Sequence, residues 1–553
     1  MATTPAWTSW GDSQPQLPRS ARHLLRTVFG PLVATQPTPI EHAQLAPSQL
    51  SIAVREQLVE AVGTDSVRDD DETRARHAGG QSYVDIVRRR RGDASEAPDA
   101  VVLPADAGEV ADVLAICSDA NVAVVPWGGG TSVVGGLSSL RGHCDAVVAL
   151  DLARMDQLLA VDETSLLATF QPGIRTPQAE AALAEHGLTL GHVPQSYERA
   201  SLGGYVVTRS AGQASTGRGR IDDLLVGARM ATPVGELVLP AVPGSAAGPD
   251  LKRLVLGSEG TLGVVTEVTL RVRRLPATKR YEGWMVPTWD AGLDLLRRIA
   301  QDGPRPDIIR LSDSDETQVS LALSGTGRLK RRALQTWLRL RHASDGCLLV
   351  LGYESSPADV RQRRRGVRRA LRKAAAVPLG GGAGQSWAHH RFSAPYLRDS
   401  LLDAGVLAET LETAATWTRL PDLYDGVRAA LRTSLTRDGR TPLIGCHVSH
   451  LYPSGASLYL TVLAAADNGQ EIEQWTAAKD AANAAIESAG GTATHHHAVG
   501  TAHRAWAWND LGGRGGVGVA ALAAVKQALD PQGILNPGKL LPSADDAQEP
   551  ARP

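Results

Sequence analysis

The chain has 553 residues, too many for one ordinary core, so at least two lobes are expected. Hydrophobic residues make up 43% and charged residues 21%, which excludes wholesale disorder, and a net charge of -2 gives no global bias toward nucleic acid. The four cysteines, Cys117, Cys144, Cys347 and Cys446, form no CxxC pair, so no zinc or disulfide framework is expected and a reducing cytoplasm fits.

The opening stretch MATTPAWTSWGDSQPQ has no charged head before an apolar run, so no secretory signal is expected. No run reaches the ~20 apolar residues that cross a bilayer. Residues 1–20 and the tail 543–553 are rich in Pro, Ser, Asp and Ala and are expected to be poorly ordered. Residues 1–94 read as a helical or extended segment. The short apolar run Ala100–Leu103 then predicts a strand ending at Pro104. Asp106 and Glu109 form a D-x-x-E start signal, and Val110, Val113, Leu114 and Cys117 follow at helical spacing until Asn121. The β-branched run Val122–Val125 predicts the next strand, and three glycines follow at once. Further strands are expected at Ala146–Leu150, Leu166–Phe170 and Val264–Val272. A helix is expected at Thr176–His186, between Pro177 in its first turn and Gly187 after its end. Residues 95–277 thus read as one α+β domain, 278–490 as a second lobe, and 491–542 as a return to the first.

The glycine loop is Pro126-Trp127-Gly128-Gly129-Gly130-Thr131-Ser132. Without Cβ atoms the backbone can approach a ligand closely, and successive amide groups make a nest for an anion such as a diphosphate. No Walker loop is present, and no G-x-G-x-x-G opens a helix, so neither a P-loop nor a Rossmann site is expected. Three further segments come in order along the chain: QSYERASLGGYVVTRSAG at Gln195–Gly212, GSEGTLGVV at Gly257–Val265 and DPQGILNPGKL at Asp530–Leu540.

In this order and spacing the four segments resemble the FAD-binding domain of the vanillyl-alcohol-oxidase and p-cresol-methylhydroxylase superfamily. The resemblance implies an α+β fold, with a two-subdomain FAD-binding domain and a larger α+β substrate (cap) domain. It implies that the glycine loop holds the FAD diphosphate. The residues that line the flavin are then Gln195, Ser196, Tyr197, Glu198, Arg199, Ala200, Ser201, Gly203, Gly204, Thr208, Arg209, Ser210 and Ala211. Glu259, Gly260, Thr261, Leu262, Gly263, Val264 and Val265 complete them. Thr131 stands where some relatives carry a flavin-linked histidine. His143 and His192 lie outside the usual attachment context, so FAD is expected to be held non-covalently.

The second half carries GGTATHHHAVG at Gly490–Gly500, HLYPSGASLYLTV at His450–Val462, PYLRD at Pro395–Asp399 and PDIIRLSD around Arg310. Together these resemble the alkyldihydroxyacetonephosphate synthase family. The resemblance implies Tyr459 and the triplet His495, His496 and His497 as catalytic, and Arg398 with Arg310 as substrate-binding. It points to Tyr459 rather than Tyr452. The stretch Gln213–Arg220, QASTGRGR, departs from a family pattern richer in lysine. An extended HHH run would put His495 and His497 on one side, and no carboxylate or cysteine spacing accompanies them, so no metal is expected.

The activity implied is exchange of the acyl group of an acyl-dihydroxyacetonephosphate for a long-chain alcohol, in ether-lipid synthesis. It would run through an adduct of substrate and FAD, without net oxidation. A tyrosine base would need positive neighbours, which the histidines could supply. Two alternatives are a 2-hydroxy acid dehydrogenase of the same fold and a flavin-binding protein without catalysis. A lipid-like substrate is the expected partner, a homodimer would suit the family, and no nucleic acid is expected. The basic segments Arg361–Lys373 and Leu329–His342 suggest peripheral membrane contact, or else a solvated basic face.

Overall fold

The computed structural model describes residues 6–11, 16–323, 336–341 and 343–542. Two small sheets build the first lobe. In one, strand Ala146–Asp151 lies between Ala100–Val102 and Val122–Trp127, parallel to both, and Val67–Arg68 closes the edge antiparallel. The three parallel strands are apolar on both faces and almost wholly buried, as parallel strands must be. Helix Ala107–Asp119 makes the crossover, and the Asp106 carboxylate caps it by accepting from the Glu109 amide. The helix stops at Asp119, because Asn121 turns the chain with φ of 52°.

The Asp530–Leu540 segment returns to this sheet. Val124 donates to the Ile534 carbonyl at 2.9 Å, and Asn536 donates to that of Val124 at 2.8 Å. Ile534 and Leu535 thereby enter the core beside Val124. The second sheet is antiparallel, in the order Gly235–Leu239, Leu225–Thr232, Val264–Arg271, Leu167–Phe170 and Leu158–Asp162. Helix Thr176–Glu185 packs over it, with Pro177 in its first turn.

The second lobe is one seven-stranded antiparallel sheet. Its order is Val377–Gly380, Thr278–Val286, Cys347–Ser355, Ile308–Ser312, Leu443–Val448, Gly455–Ala465 and Val406–Thr416. Helices Trp289–Asp302, Pro357–Lys373, Leu420–Leu435 and Glu471–Ser488 share its largest hydrophobic core. Register decides the other face. Tyr459 is paired with His447 on one neighbouring strand and with Glu412 on the other. Directly opposed residues share a face, so His447, Tyr459 and Glu412 stand in one row. Ser312 pairs with His447, so Arg310, two residues away, lies on that same face.

One expectation changes. Trp7 and Trp10 are buried, so residues 6–11 are packed rather than loose, and a helix already starts at Arg19. Their indoles supply the apolar area that a count of Pro and Ser overlooks. The tail 543–553 and most of Leu329–His342 lie outside the described residues.

Candidate active site and cofactor cradle

A cavity of about 510 Å³ opens between the glycine loops of the first lobe and the polar row of the second. On the first-lobe side the backbone itself is the wall. A Cβ on Gly129 would sit 2.2 Å from the Arg199 carbonyl oxygen, and one on Gly128 would sit 2.3 Å from Ser201 Oγ. The loop and the 195–204 segment are therefore pressed together without side chains, leaving amides exposed to the cavity. Gly130 has φ of 69°, in the left-handed region.

Pro126 to Ser132 all line the cavity, as do Gln195, Ser196, Ala200, Ser201, Gly203, Gly204, Thr208, Ser210 and Ala211. Glu259, Gly260, Gly263, Val264 and Val265 line it too. Six expected residues stand behind this lining. Tyr197 stacks on Phe392, and Glu198 accepts from the Tyr396 hydroxyl at 2.6 Å. Arg199 contributes its carbonyl against Gly129, and Arg209 pairs with Asp222. The Thr261 hydroxyl donates to the Ser258 carbonyl, and Leu262 is core.

Glu259 ties the first lobe to the segment that follows the histidine triplet. Its carboxylate accepts from the Val499 and Gly500 amides at 2.8 and 2.7 Å, just after the histidine triplet. Burial pushes its pKa up to about 7, against these two hydrogen bonds.

The triplet is not extended. The His495, His496 and His497 amides all donate to the Glu412 carboxylate, at 2.7 to 2.9 Å, and the Thr494 hydroxyl donates at 2.9 Å. A buried carboxylate thus folds the segment into a tight turn, and strand-like alternation fails. The ring that shares a side with His495 is His496, with the two Nδ1 atoms 2.9 Å apart, instead of His497. Burial alone would raise Glu412. The neighbouring His496 and its hydrogen bond outweigh that, and the carboxyl lies well below its ordinary value.

His496 and His497 line the cavity, while His495 sits behind them. His450 stacks on His495 with ring centroids 5.1 Å apart and bonds Ser215 Oγ through Nδ1 at 2.6 Å. The nearest ligand atoms of His450, His495 and His496 lie within 4.8 Å of one another, a spacing that alone would suit a small cation. Their Nδ1 atoms already have partners in Ser215 and in each other, and His495 Nε2 lies 2.6 Å from the Tyr452 hydroxyl.

Tyr459 faces the cavity, with its ring stacked on His447 at 4.8 Å. Burial pushes its pKa up to about 12, although a hydrogen bond with Thr410 and the Arg310 charge pull the other way. His495 and His497 do not supply the expected positive charge. Burial holds His497 down at about 3 and His495 well below its ordinary value. Tyr459 therefore rests as a neutral phenol.

Arg310 lines the cavity but already donates to Glu316 at 2.6 Å. Arg398 is freer. It donates to the Gln81 carbonyl and side chain at 2.7 and 3.0 Å, and its buried Nε has no protein partner. Beside it Trp10 enters the cavity wall. The Trp10 amide donates to Asp399 Oδ2 at 2.7 Å, across 389 residues of sequence. Gly11 lies against Tyr396, where a Cβ would meet the ring at 2.8 Å. Sequence reasoning missed Glu412, set Tyr452 aside in favour of Tyr459, met Arg220 only within the departing stretch Gln213–Arg220, and assigned Trp10 no role.

The comparisons fit this geometry. The family described as "FAD binding domain" matches residues 98–239, and "FAD linked oxidases, C-terminal domain" matches residues 275–540. Fold and cleft together define an FAD-dependent enzyme of the p-cresol-methylhydroxylase type. An alkyldihydroxyacetonephosphate synthase from Trypanosoma brucei brucei is 31% identical, over 98% of this chain and 93% of the relative. One from Dictyostelium discoideum is 33% identical, over 87% of this chain and 79% of the relative. A solved alkyldihydroxyacetonephosphate synthase superposes with a TM-score of 0.84 at 29% identity, covering 97% of this chain and 98% of that one. The chain belongs to the alkyldihydroxyacetonephosphate synthase family.

Proposed function

We propose that the protein exchanges the acyl group of an acyl-dihydroxyacetonephosphate for a long-chain alcohol. The observation that carries this is the row Arg310, His447 and Tyr459, facing a glycine cradle across one cavity, with Glu412 next to Tyr459 behind the lining. The glycine wall, closed to any Cβ, suits the FAD diphosphate, and FAD when bound supplies an electron sink next to the polar row. Neither His143 nor His192 reaches the cavity lining, in keeping with FAD held non-covalently. Flavin released into the supernatant by acid precipitation would agree, and yellow pellets would not.

Arg398 holds the substrate phosphate, since guanidinium makes charge-assisted and bidentate bonds and this one has an unpartnered Nε. Tyr459, resting as a phenol, takes the substrate proton on its oxygen while its own hydroxyl proton passes to His496, whose ring stacks on it with centroids 6.1 Å apart. His496 and His497 complete the proton-accepting wall. Ile309, Val319, Leu401, Ala408, Leu443 and Leu463 line an apolar arm suited to the long chains. An anaerobic spectrum tests the reading. Palmitoyl-dihydroxyacetonephosphate should bleach the flavin, and hexadecanol should restore it with an ether product. A flavin that ignores this substrate but is bleached by lactate would make the protein an oxidising enzyme instead.

We propose that lipid contact at helix Pro357–Lys373 is electrostatic. Val360, Val367 and Leu371 face the core, while Arg361, Arg365, Arg368, Arg369, Arg372 and Lys373 are exposed. Flotation with anionic vesicles at low salt checks this, and neutral vesicles should not bind. Among the described residues no helix is long and apolar enough to cross a membrane. A homodimer is proposed on family likeness, and sedimentation velocity decides it.

A further inference from the structure

His496 faces the cavity, and a line of hydrogen bonds leads away behind it. His496 Nδ1 lies 2.9 Å from His495 Nδ1, and His495 Nε2 lies 2.6 Å from the Tyr452 hydroxyl. Arg220 spans both ends. Its Nη1 approaches the Tyr452 hydroxyl at 3.5 Å, and its Nη2 donates to the His495 carbonyl at 2.9 Å. Tyr452 is half-buried and precedes the exposed pair Pro453 and Ser454. Neither His495 nor Tyr452 lines the cavity, yet both are joined to a residue that does.

We infer that His496, His495 and Tyr452 form a proton relay between the cavity and solvent, with Arg220 as its positioning residue. The inference rests on the reading that a substrate proton is taken up in the cavity. The carbon–hydrogen bond breaks, and its electron pair stays on the substrate carbon. The proton reaches His496 Nε2, and His496 passes its Nδ1 proton to His495 Nδ1. His495 passes its Nε2 proton to the Tyr452 oxygen, and Tyr452 gives its hydroxyl proton to water. Each member gains one proton and loses one, so none changes its charge. Reverse passage returns a solvent proton to the product carbon. Imidazoles with a partner on each nitrogen suit such transfer, because one nitrogen accepts while the other releases. Burial, with the neighbouring His496, keeps His495 neutral and ready to do both.

The test follows the label of a substrate tritiated at the carbon that gives up its proton. The FAD-loaded wild type should form ether product and release the tritium to water. Tyr452→Phe keeps the ring and removes the hydroxyl, so the fraction of tritium retained in product should rise at least about threefold. His495→Gln interrupts the same line from the inside and should do likewise. A merely structural role lowers the rate without changing this partition. Unchanged retention in either FAD-loaded variant, with product still forming, would overturn the relay. A wild type that forms no ether product overturns the functional reading, and the relay with it.

Discussion

The glycine cradle and the histidine cluster face each other across one cavity and are built in opposite ways. The cradle is made of backbone, from stretches within about ninety residues of one another plus the returning Gly257–Val265 loop, and its requirement is an absence of side chains. The histidine cluster is made of side chains brought together from five places. Glu412 is 83 residues from His495, Tyr452 is 43, Ser215 is 235 from His450, and Arg220 is 275 from His495. The cradle tolerates no added volume, and the cluster tolerates no lost hydrogen bond.

The largest effect should come from adding one methyl group to the cradle. Gly129→Ala puts a Cβ against the Arg199 carbonyl and 2.6 Å from the Ala200 Cα. The protein should purify without flavin absorbance, at a stability cost of about 1–3 kcal/mol. Normal flavin content in that variant would show that the loop has room.

On the other side, Glu412→Ala leaves three amides without their acceptor. Each buried donor left unpaired costs roughly 1–3 kcal/mol, and turnover should fall on the order of 100-fold as the rings lose their places. Flavin should remain, because Glu412 does not line the cavity. Measuring kcat and flavin content together separates the two walls.

Acid should act on the same side. His497 and His503 are held at about 3 by burial, against an ordinary value of 6.5. Both fold in the neutral form, so the unfolded chain binds more protons below pH 6.5. The stability they support is present above that pH and is lost as the pH falls toward 3, by at most roughly 1.4 kcal/mol per unit for each ring. The melting temperature should drop across this window, and His503→Gln should flatten part of the drop.

The smallest effect should come from Trp10, which only bounds the substrate end. Trp10→Ala keeps the amide bond to Asp399 and removes the indole. KM for the acylated substrate should rise about tenfold or less, with flavin content unchanged.

The same contrast explains how much was legible in the sequence. Gly128, Gly129 and Gly130 were legible because their role is local: a strand ends, and only glycine fits the tight loop after it. The strands around them were legible for the same reason, with ends that moved by a residue or two, at Leu166 because its φ is positive. The row His447, Tyr459 and Glu412 depends on register between three strands, which no single segment encodes. The HHH run was visible, but its conformation was set by a carboxylate on another strand. Arg220 lay in a stretch that departs from the family pattern, so resemblance could not supply it.

The proposed chemistry turns on Tyr459 moving a substrate proton in a synthase that binds FAD. Its sharpest test is ether formation from palmitoyl-dihydroxyacetonephosphate and labelled hexadecanol, comparing wild type with Tyr459→Phe at matched flavin content. Wild type should give alkali-stable labelled lipid and released palmitate, and the variant should lose about 100-fold or more of that product. Equal product from both, with FAD bound in each, would contradict the role of Tyr459.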